Sequence, residues 1–271
     1  MGGAFARVVI AVLALAWSGA AVAGVPEAWQ LGMQEAASPI KAAVTDLHDL
    51  LLVIIIGVCV VVLALLLYVM WRFRAGANPK PSRTTHNTML EIVWTAVPVL
   101  ILVVIAFPSF KLIYYEDRTP EADVTVKAIG RQWYWSYAYP DHGNFSFDAF
   151  MLSREEAEEA GEPALLATSE DVVVPAGATV RMLITASDVL HSWAVPAFGV
   201  KRDAIPGRLN ETWFRVEEPG MYYGQCSELC GVGHGFMPIA VRVVPQAEFD
   251  AWIEQAQARY GTEDDTSVAQ R

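Results

Sequence analysis

The sequence predicts a membrane-anchored all-β protein: a two-helix transmembrane hairpin, then a β-sandwich closed by a C-terminal helix. Three features predict it. Two uncharged apolar runs, 50–71 and 92–110, precede residue 111. Beyond it, short runs rich in β-branched and aromatic residues alternate with Pro, Gly, Asn and Asp, the mark of a sandwich or barrel. From 246 to 260 apolar residues recur at helical spacing. The chain of 271 residues has room for one sizeable domain besides its membrane segments. Its composition, 54% hydrophobic and 18% charged, is apolar for a soluble protein and fits that division.

The elements follow in order. Residues 1–23 read as a signal peptide: Arg7 is the lone charge, "VVIAVLALA" the apolar stretch and Ala21 to Ala23 the small-residue cleavage pattern, with Gly24 first in the mature chain. Residues 24–49 form an outer N-terminal segment. Residues 50–71 contain no charge and are long enough to span a hydrocarbon core, which takes roughly 20 residues. Residues 92–110 form the second span, with Pro98 and Pro108 as tolerated kinks. The loop 72–91 sets the orientation. It carries Arg72, Arg74, Lys80 and Arg83 and no acid before Glu91. Short cytoplasmic loops collect Lys and Arg, so the hairpin loop faces the cytoplasm and all that follows residue 110 lies outside. Glu91, at the cytoplasmic start of the second span, reads by position as a solvated interfacial acid. Cys59 lies mid-membrane and reads as a packed residue.

The outer domain, 111–245, and the segments after it are acidic. Residues 112–271 hold 25 of the 30 acids and 12 of the 19 basic residues. Such a domain attracts cationic partners and speeds their encounter; no nucleic-acid partner is expected. Strands are predicted in "DVTVKAIG", "QWYWSYAY", "DVVVPAG", "TVRMLITASD", "HSWAVP", "NETWFRV", "GMYYGQC" and "MPIAVRVVP". In the terminal helix, 246–260, Phe249, Trp252, Ile253, Ala256 and Tyr260 share a face. Residues 261–271 read as a frayed tail.

One stretch carries chemistry. "CSELCGVGHGFM" places Cys226, Cys230, His234 and Met237 in one loop, and His191 heads a strand that can reach it. Three cysteines are too few for a disulfide scaffold. A Cys226–Cys230 disulfide suits an oxidising compartment but leaves both histidines and the methionine without a joint purpose. Structural zinc takes Cys and His, and Met237 is then surplus. Copper accommodates all five, because thiolate and thioether suit Cu(I) and imidazole suits both oxidation states. A single Cys with two His and a weak Met makes a blue-copper site. Two cysteines can instead bridge two coppers, with one histidine on each. The preferred expectation is therefore copper, with the disulfide and zinc as alternatives.

"CSELCGVGHGFMP", "LHSWAVPAFGVKRDAIPGRLN", "YYGQC" and "QWYWSYAY" resemble subunit II of bacterial cytochrome c oxidase, as does the order of two spans before a cupredoxin-like β-sandwich. The likeness runs from about Leu50 to about Val244. It implies a dinuclear copper A centre held by His191, Cys226, the Glu228 backbone carbonyl, Cys230, His234 and Met237. It implies a magnesium ion on the Glu228 side chain, shared with subunit I; a hard cation wants oxygen. Trp133 would accept electrons from cytochrome c, with Asp148, Glu170, Asp171 and Asp188 docking that partner, and Glu91 would mark the entrance of a proton channel. Electrons would pass to a haem in subunit I, where oxygen is reduced to water and protons are translocated across the bacterial inner membrane. The outer domain would then be periplasmic. The chain departs from the family pattern "GHQWYWSYEY" in having Arg131 and Ala138. The filled ligand set separates it from quinol oxidase subunits, the membrane hairpin from nitrous oxide reductase, and the lack of a βαβ redox pattern from copper chaperones. No CxxCH occurs, so no fused c-type haem is expected.

Overall fold

The computed structural model describes residues 24–261, and the expected signal peptide and almost all of the expected tail lie outside them. Helix α1 (Pro39–Arg72) starts where Ser38, in extended conformation, accepts a hydrogen bond from the Lys41 amide, with Pro39 in the first turn. Both are strong helix-start signals: the side chain satisfies an orphan N–H, and proline needs none. Helix α2 (Thr88–Asp117) is capped by Asn87 and runs through Pro98 and Pro108. Both helices are long and apolar enough to cross a membrane, and both extend past the uncharged runs into polar sequence at each end. Their apolar side chains mostly point outward. Glu91 lies in the first turn of α2, where its carboxylate accepts from the Asn87 amide at 3.3 Å.

The outer domain has ten strands. β1 (Val124–Arg131), β2 (Tyr134–Tyr139), β3 (Phe145–Ala149), β5 (Thr179–Ala186) and β8 (Asn210–Arg215) form one sheet in the order β3-β2-β1-β5-β8. β4 (Val172–Pro175), β10 (Pro238–Val244) and β9 (Gly220–Gln225) form the second, β4-β10-β9. β6 (His191–Val195) and β7 (Val200–Ala204) make a hairpin. Two pairings are parallel, β1 with β5 and β10 with β4, so those strands pair across long connections. A short helix α3 (Arg154–Ala160) is closed by a Ser153–Glu156 capping box. The terminal helix α4 (Gln246–Tyr260) buries Phe249, Ile253 and Ala256 against the sandwich.

β5 alternates buried and half-buried residues along its length, as a strand with one face on the core does. β6 buries all five of its residues. It lies under β9 so closely that a Cβ on Gly224 would come 1.9 Å from the Ala194 carbonyl oxygen. Trp135, Tyr137 and Tyr139 face the core at 0–1% exposure. Trp133, which lies within the predicted strand "QWYWSYAY", stands before the observed strand and is half-buried, because β2 begins at Tyr134. Strands β3 and β7 and helix α3 are additions to the predicted list. β3 is an alternating strand inside a segment otherwise read as loop, and β7 follows β6 after a single 3-10 turn.

The hairpin is joined to the sandwich by specific bonds. Ser38 Oγ donates to the Phe198 carbonyl at 2.6 Å, and the Ala37 amide donates to Ala197 at 2.9 Å. At the end of α2, Arg202 pairs with Asp117 at 2.6 Å, and Tyr115 meets Trp213 edge to face.

Candidate metal centre

The cysteine loop joins β9 to β10. The Cys226 amide donates to the Met237 carbonyl at 3.3 Å, closing the loop at its base. The Ser227 amide donates to the Ser192 carbonyl at 3.0 Å, fastening the loop beside His191 on β6. Sequence-distant donors thereby converge. Cys226 Sγ lies 3.9 Å from His191 Nδ1 and 3.4 Å from the Glu228 carbonyl oxygen. Cys230 Sγ lies 3.5 Å from His234 Nδ1 and 3.6 Å from Met237 Sδ. The two sulfurs are 3.9 Å apart and the cysteines are free. A disulfide, with sulfurs about 2.05 Å apart, is not formed.

Donors sharing one tetrahedral ion through bonds of about 2.0–2.3 Å stand about 3.6 Å from one another. The separations here, 3.4 to 3.9 Å, fall at that spacing. The ligating atoms of His191, Cys226 and Cys230 all lie within 4.8 Å of one another, and all three residues are buried. Met237 is 1% exposed. His234 is half-buried and sits in a 3-10 turn beginning at the residue itself. Two soft thiolates, a thioether and two imidazoles in a largely buried pocket fit copper.

The electrostatics favour a cation. Burial opposes the Cys226 thiolate, but hydrogen bonds from His191 and from the backbone of Glu228 and Ser192 outweigh it and bring the thiol well below its ordinary value. Burial and the negative charge of Cys226 both push Cys230 up. The pair therefore releases one proton readily and the second against resistance, and a bound cation removes that resistance. Burial disfavours the His191 imidazolium, but Cys226 and Asp188 together raise its proton affinity.

Residues outside the loop hold the donors. Asp188 Oδ1 accepts from His191 Nε2 at 2.9 Å, leaving Nδ1 toward the sulfurs. The other oxygen accepts the Gln132 amide at 2.7 Å, and the Val189 amide donates to Oδ1 at 2.6 Å. A carboxylate behind a histidine ligand fixes its tautomer and ring orientation. Gln132 Nε2 and Trp133 Nε1 both donate to the Cys230 carbonyl, at 2.9 and 3.1 Å. Gly130 is glycine for clearance: a Cβ there would come 2.8 Å from the His191 ring. Gly233 does the same for Trp133, whose ring atoms would lie 2.4 Å from an added Cβ.

The structure brings together His191, Cys226, the Glu228 carbonyl, Cys230, His234 and Met237, and sets Trp133 against them. The expected docking acids lie in four different settings. Asp188 is occupied behind His191. Asp148 is exposed and accepts from Ser136 Oγ at 2.5 Å. Glu170 pairs with Arg259 at 2.8 Å, and Asp171 with Arg242 at 3.3 Å, so both are tied to the α4 and β10 side of the sandwich. Gln132 and the anchoring role of Asp188 escaped sequence reasoning. The available signal was an acid three residues before a candidate ligand.

The transmembrane-domain model of cytochrome c oxidase subunit II matches residues 26–112, and the periplasmic-domain model of the same subunit matches 124–244. The chain belongs to the cytochrome c oxidase subunit II family. A probable cytochrome c oxidase subunit 2 of Rickettsia bellii is 48% identical over 250 residues, covering 92% of this chain and 93% of the relative. The cytochrome c oxidase subunit 2 of Cereibacter sphaeroides is 45% identical over 264 residues, covering 91% and 86%. Among solved structures, the periplasmic domain of subunit II of the Bradyrhizobium japonicum cytochrome oxidase matches 53% of this chain and 99% of its own, at 54% identity and a TM-score of 0.50. The fold is that expected of a subunit II chain: two apolar helices, then a β-sandwich with a terminal helix. The converged His, Cys and Cys donors are compatible with the copper that the sequence called for.

Proposed function

We propose that this chain is the electron-entry subunit of a bacterial cytochrome c oxidase, taking single electrons from cytochrome c and passing them to a haem in subunit I. The observation that carries the reading is the convergence of two thiols, two imidazoles, a thioether and a carbonyl at 3.4 to 3.9 Å in a buried pocket. His191, Cys226, the Glu228 carbonyl, Cys230, His234 and Met237 would hold a copper pair. When bound, such a pair supplies a one-electron store whose ligands move little on redox change.

The protein's own residues do the rest. Trp133 offers a half-exposed ring whose N–H reaches the Cys230 carbonyl at 3.1 Å, a short bonded route from the surface to the residue that carries one of the two sulfurs. Asp188 fixes the His191 ring, and the lowered Cys226 thiol brings negative charge where cations are to bind. The Glu228 side chain would take a magnesium ion at the boundary with subunit I. Glu91 would stand at the mouth of a proton path. The positive loop 72–91 would face the cytoplasm and the sandwich the periplasm, with oxygen reduction and proton translocation completed in subunit I.

Copper content and the electron paramagnetic resonance spectrum of the full chain in detergent test this. Two coppers with the multiline hyperfine pattern of one electron shared equally by two copper nuclei are expected. One copper with the pattern of a single nucleus would make the site a mononuclear carrier and sink the paired reading.

A further inference from the structure

Arg131 is an unanswered charge beside the entry tryptophan. It ends β1, two residues before Trp133, and is half-buried. Its Nε donates to Ser136 Oγ at 3.0 Å and its Nη1 to Ser187 Oγ at 3.3 Å. Two hydroxyls thus aim the guanidinium without neutralising it. Arg181, Arg202, Arg215, Arg242 and Arg259 each meet a carboxylate, but among the described residues Arg131 meets none. A guanidinium has five N–H donors, so three remain without an acceptor there.

The neighbouring acids form no ion pair with it. Asp188 has both oxygens occupied by His191, Val189 and Gln132. Asp148 lies beyond Ser136, which donates to it at 2.5 Å. The loop residues flanking those that touch Trp133 are apolar and open, Leu229 at 77% and Val232 at 86% exposure. The surroundings of Trp133 thus combine two open apolar side chains with a guanidinium that has no ion-pair partner, within a chain of net charge −11.

We propose that Arg131 is a specificity-determining residue of electron entry, its free guanidinium edge receiving a carboxylate of the donor protein beside Trp133. This rests on Trp133 being the entry point. A planar fork of donors matches a carboxylate, whereas a donor lysine at that position is repelled. Long-range attraction by the acidic domain brings the donor in, and Arg131 discriminates at contact.

The test uses the assembled oxidase and two soluble c-type cytochromes as probes, one strongly basic and one acidic. Arg131→Gln is expected to raise kcat/KM for the basic donor and lower it for the acidic one, each by about two- to fivefold, the range for exposed charge pairs. The change should fade with added salt. Arg131→Lys keeps the charge and should keep most of the wild-type ratio between donors. The copper spectrum should be the same in all three. An unmoved ratio in Arg131→Gln, or a Lys variant that behaves as Gln does, overturns the proposal. Trp133→Phe provides the separate control. If it leaves entry from both donors unchanged, the entry assignment falls and this inference with it. If it slows both while Arg131→Gln moves no ratio, only the role of Arg131 falls.

Discussion

The two walls of the donor cluster are built differently. His191 belongs to a fully buried strand, is 0% exposed, and has its far nitrogen bonded to Asp188. His234 belongs to a loop, is half-buried, and its Nε2 has no partner among the described residues. One wall is fixed before any metal arrives. The other is held by its base, through Cys226 to Met237, and by Gln132 and Trp133 on the Cys230 carbonyl. The difference teaches how such a site can be both precise and fillable: a rigid strand sets the ring orientation, and a glycine-bearing loop closes on it.

Cys226→Ser should break both walls at once, since Cys226 touches His191, the Glu228 carbonyl and Cys230. Copper content of the purified variant should fall to near zero with the sandwich intact by circular dichroism. Full retention of copper would show that the sulfurs do not bridge. The histidines come next. His234→Gly should lose copper binding that added imidazole restores, because the space opens toward solvent. His191→Gly should not be restored, because its pocket is closed. Equal rescue of both, read from the copper absorption, would erase the distinction between the walls.

Asp188→Asn keeps the shape of the inner wall and weakens its anchor. Loss of a carboxylate behind a metal-bound histidine lowers metal affinity by about 10-fold or more. Copper titration should show that loss, with a shifted reduction potential, at every ionic strength. A variant altered only in the salt dependence of its reaction with cytochrome c would return Asp188 to a docking role.

Much of this was legible in the sequence, and the remainder has physical reasons. Membrane helices declare themselves because the bilayer demands uncharged length, yet their ends lay beyond the uncharged runs, at Ser38 and Asp117, where capping and the sandwich decide. The donor loop was legible because five of the six expected ligand residues fall within twelve consecutive positions. His191 was harder, since its contact spans β6 to β9, and pairing across strands is not written in local periodicity. Asp188 stands three residues before a candidate ligand, but that spacing alone does not separate an anchoring carboxylate from a surface acid. Trp133 shared an alternating run with Trp135, and only the turn between β1 and β2 takes it off the strand.

The smallest expected effect on copper is none, and it comes from Asp171 on the side of the sandwich near α4. Burial raises its carboxyl to about 6, although the nearby Arg242 guanidinium works against the rise. An unfolded aspartate titrates near 3.9. Between these values the folded domain holds a proton that the unfolded chain has released. The group's contribution is thus fully present below about pH 4 and is lost as pH rises through about 6. Asp171→Asn removes that dependence, and Arg242 keeps Glu248 at 3.4 Å. Relative to the variant, the natural protein should lose up to about 3 kcal/mol of stability between pH 4 and 7, from about 1.4 kcal/mol per pH unit. Denaturant unfolding across that range measures it, and the copper spectrum should not move. A stability difference that is flat with pH would mean that Asp171 is not held protonated by burial. A moved spectrum would mean that this side of the sandwich and the metal walls are one mechanical unit.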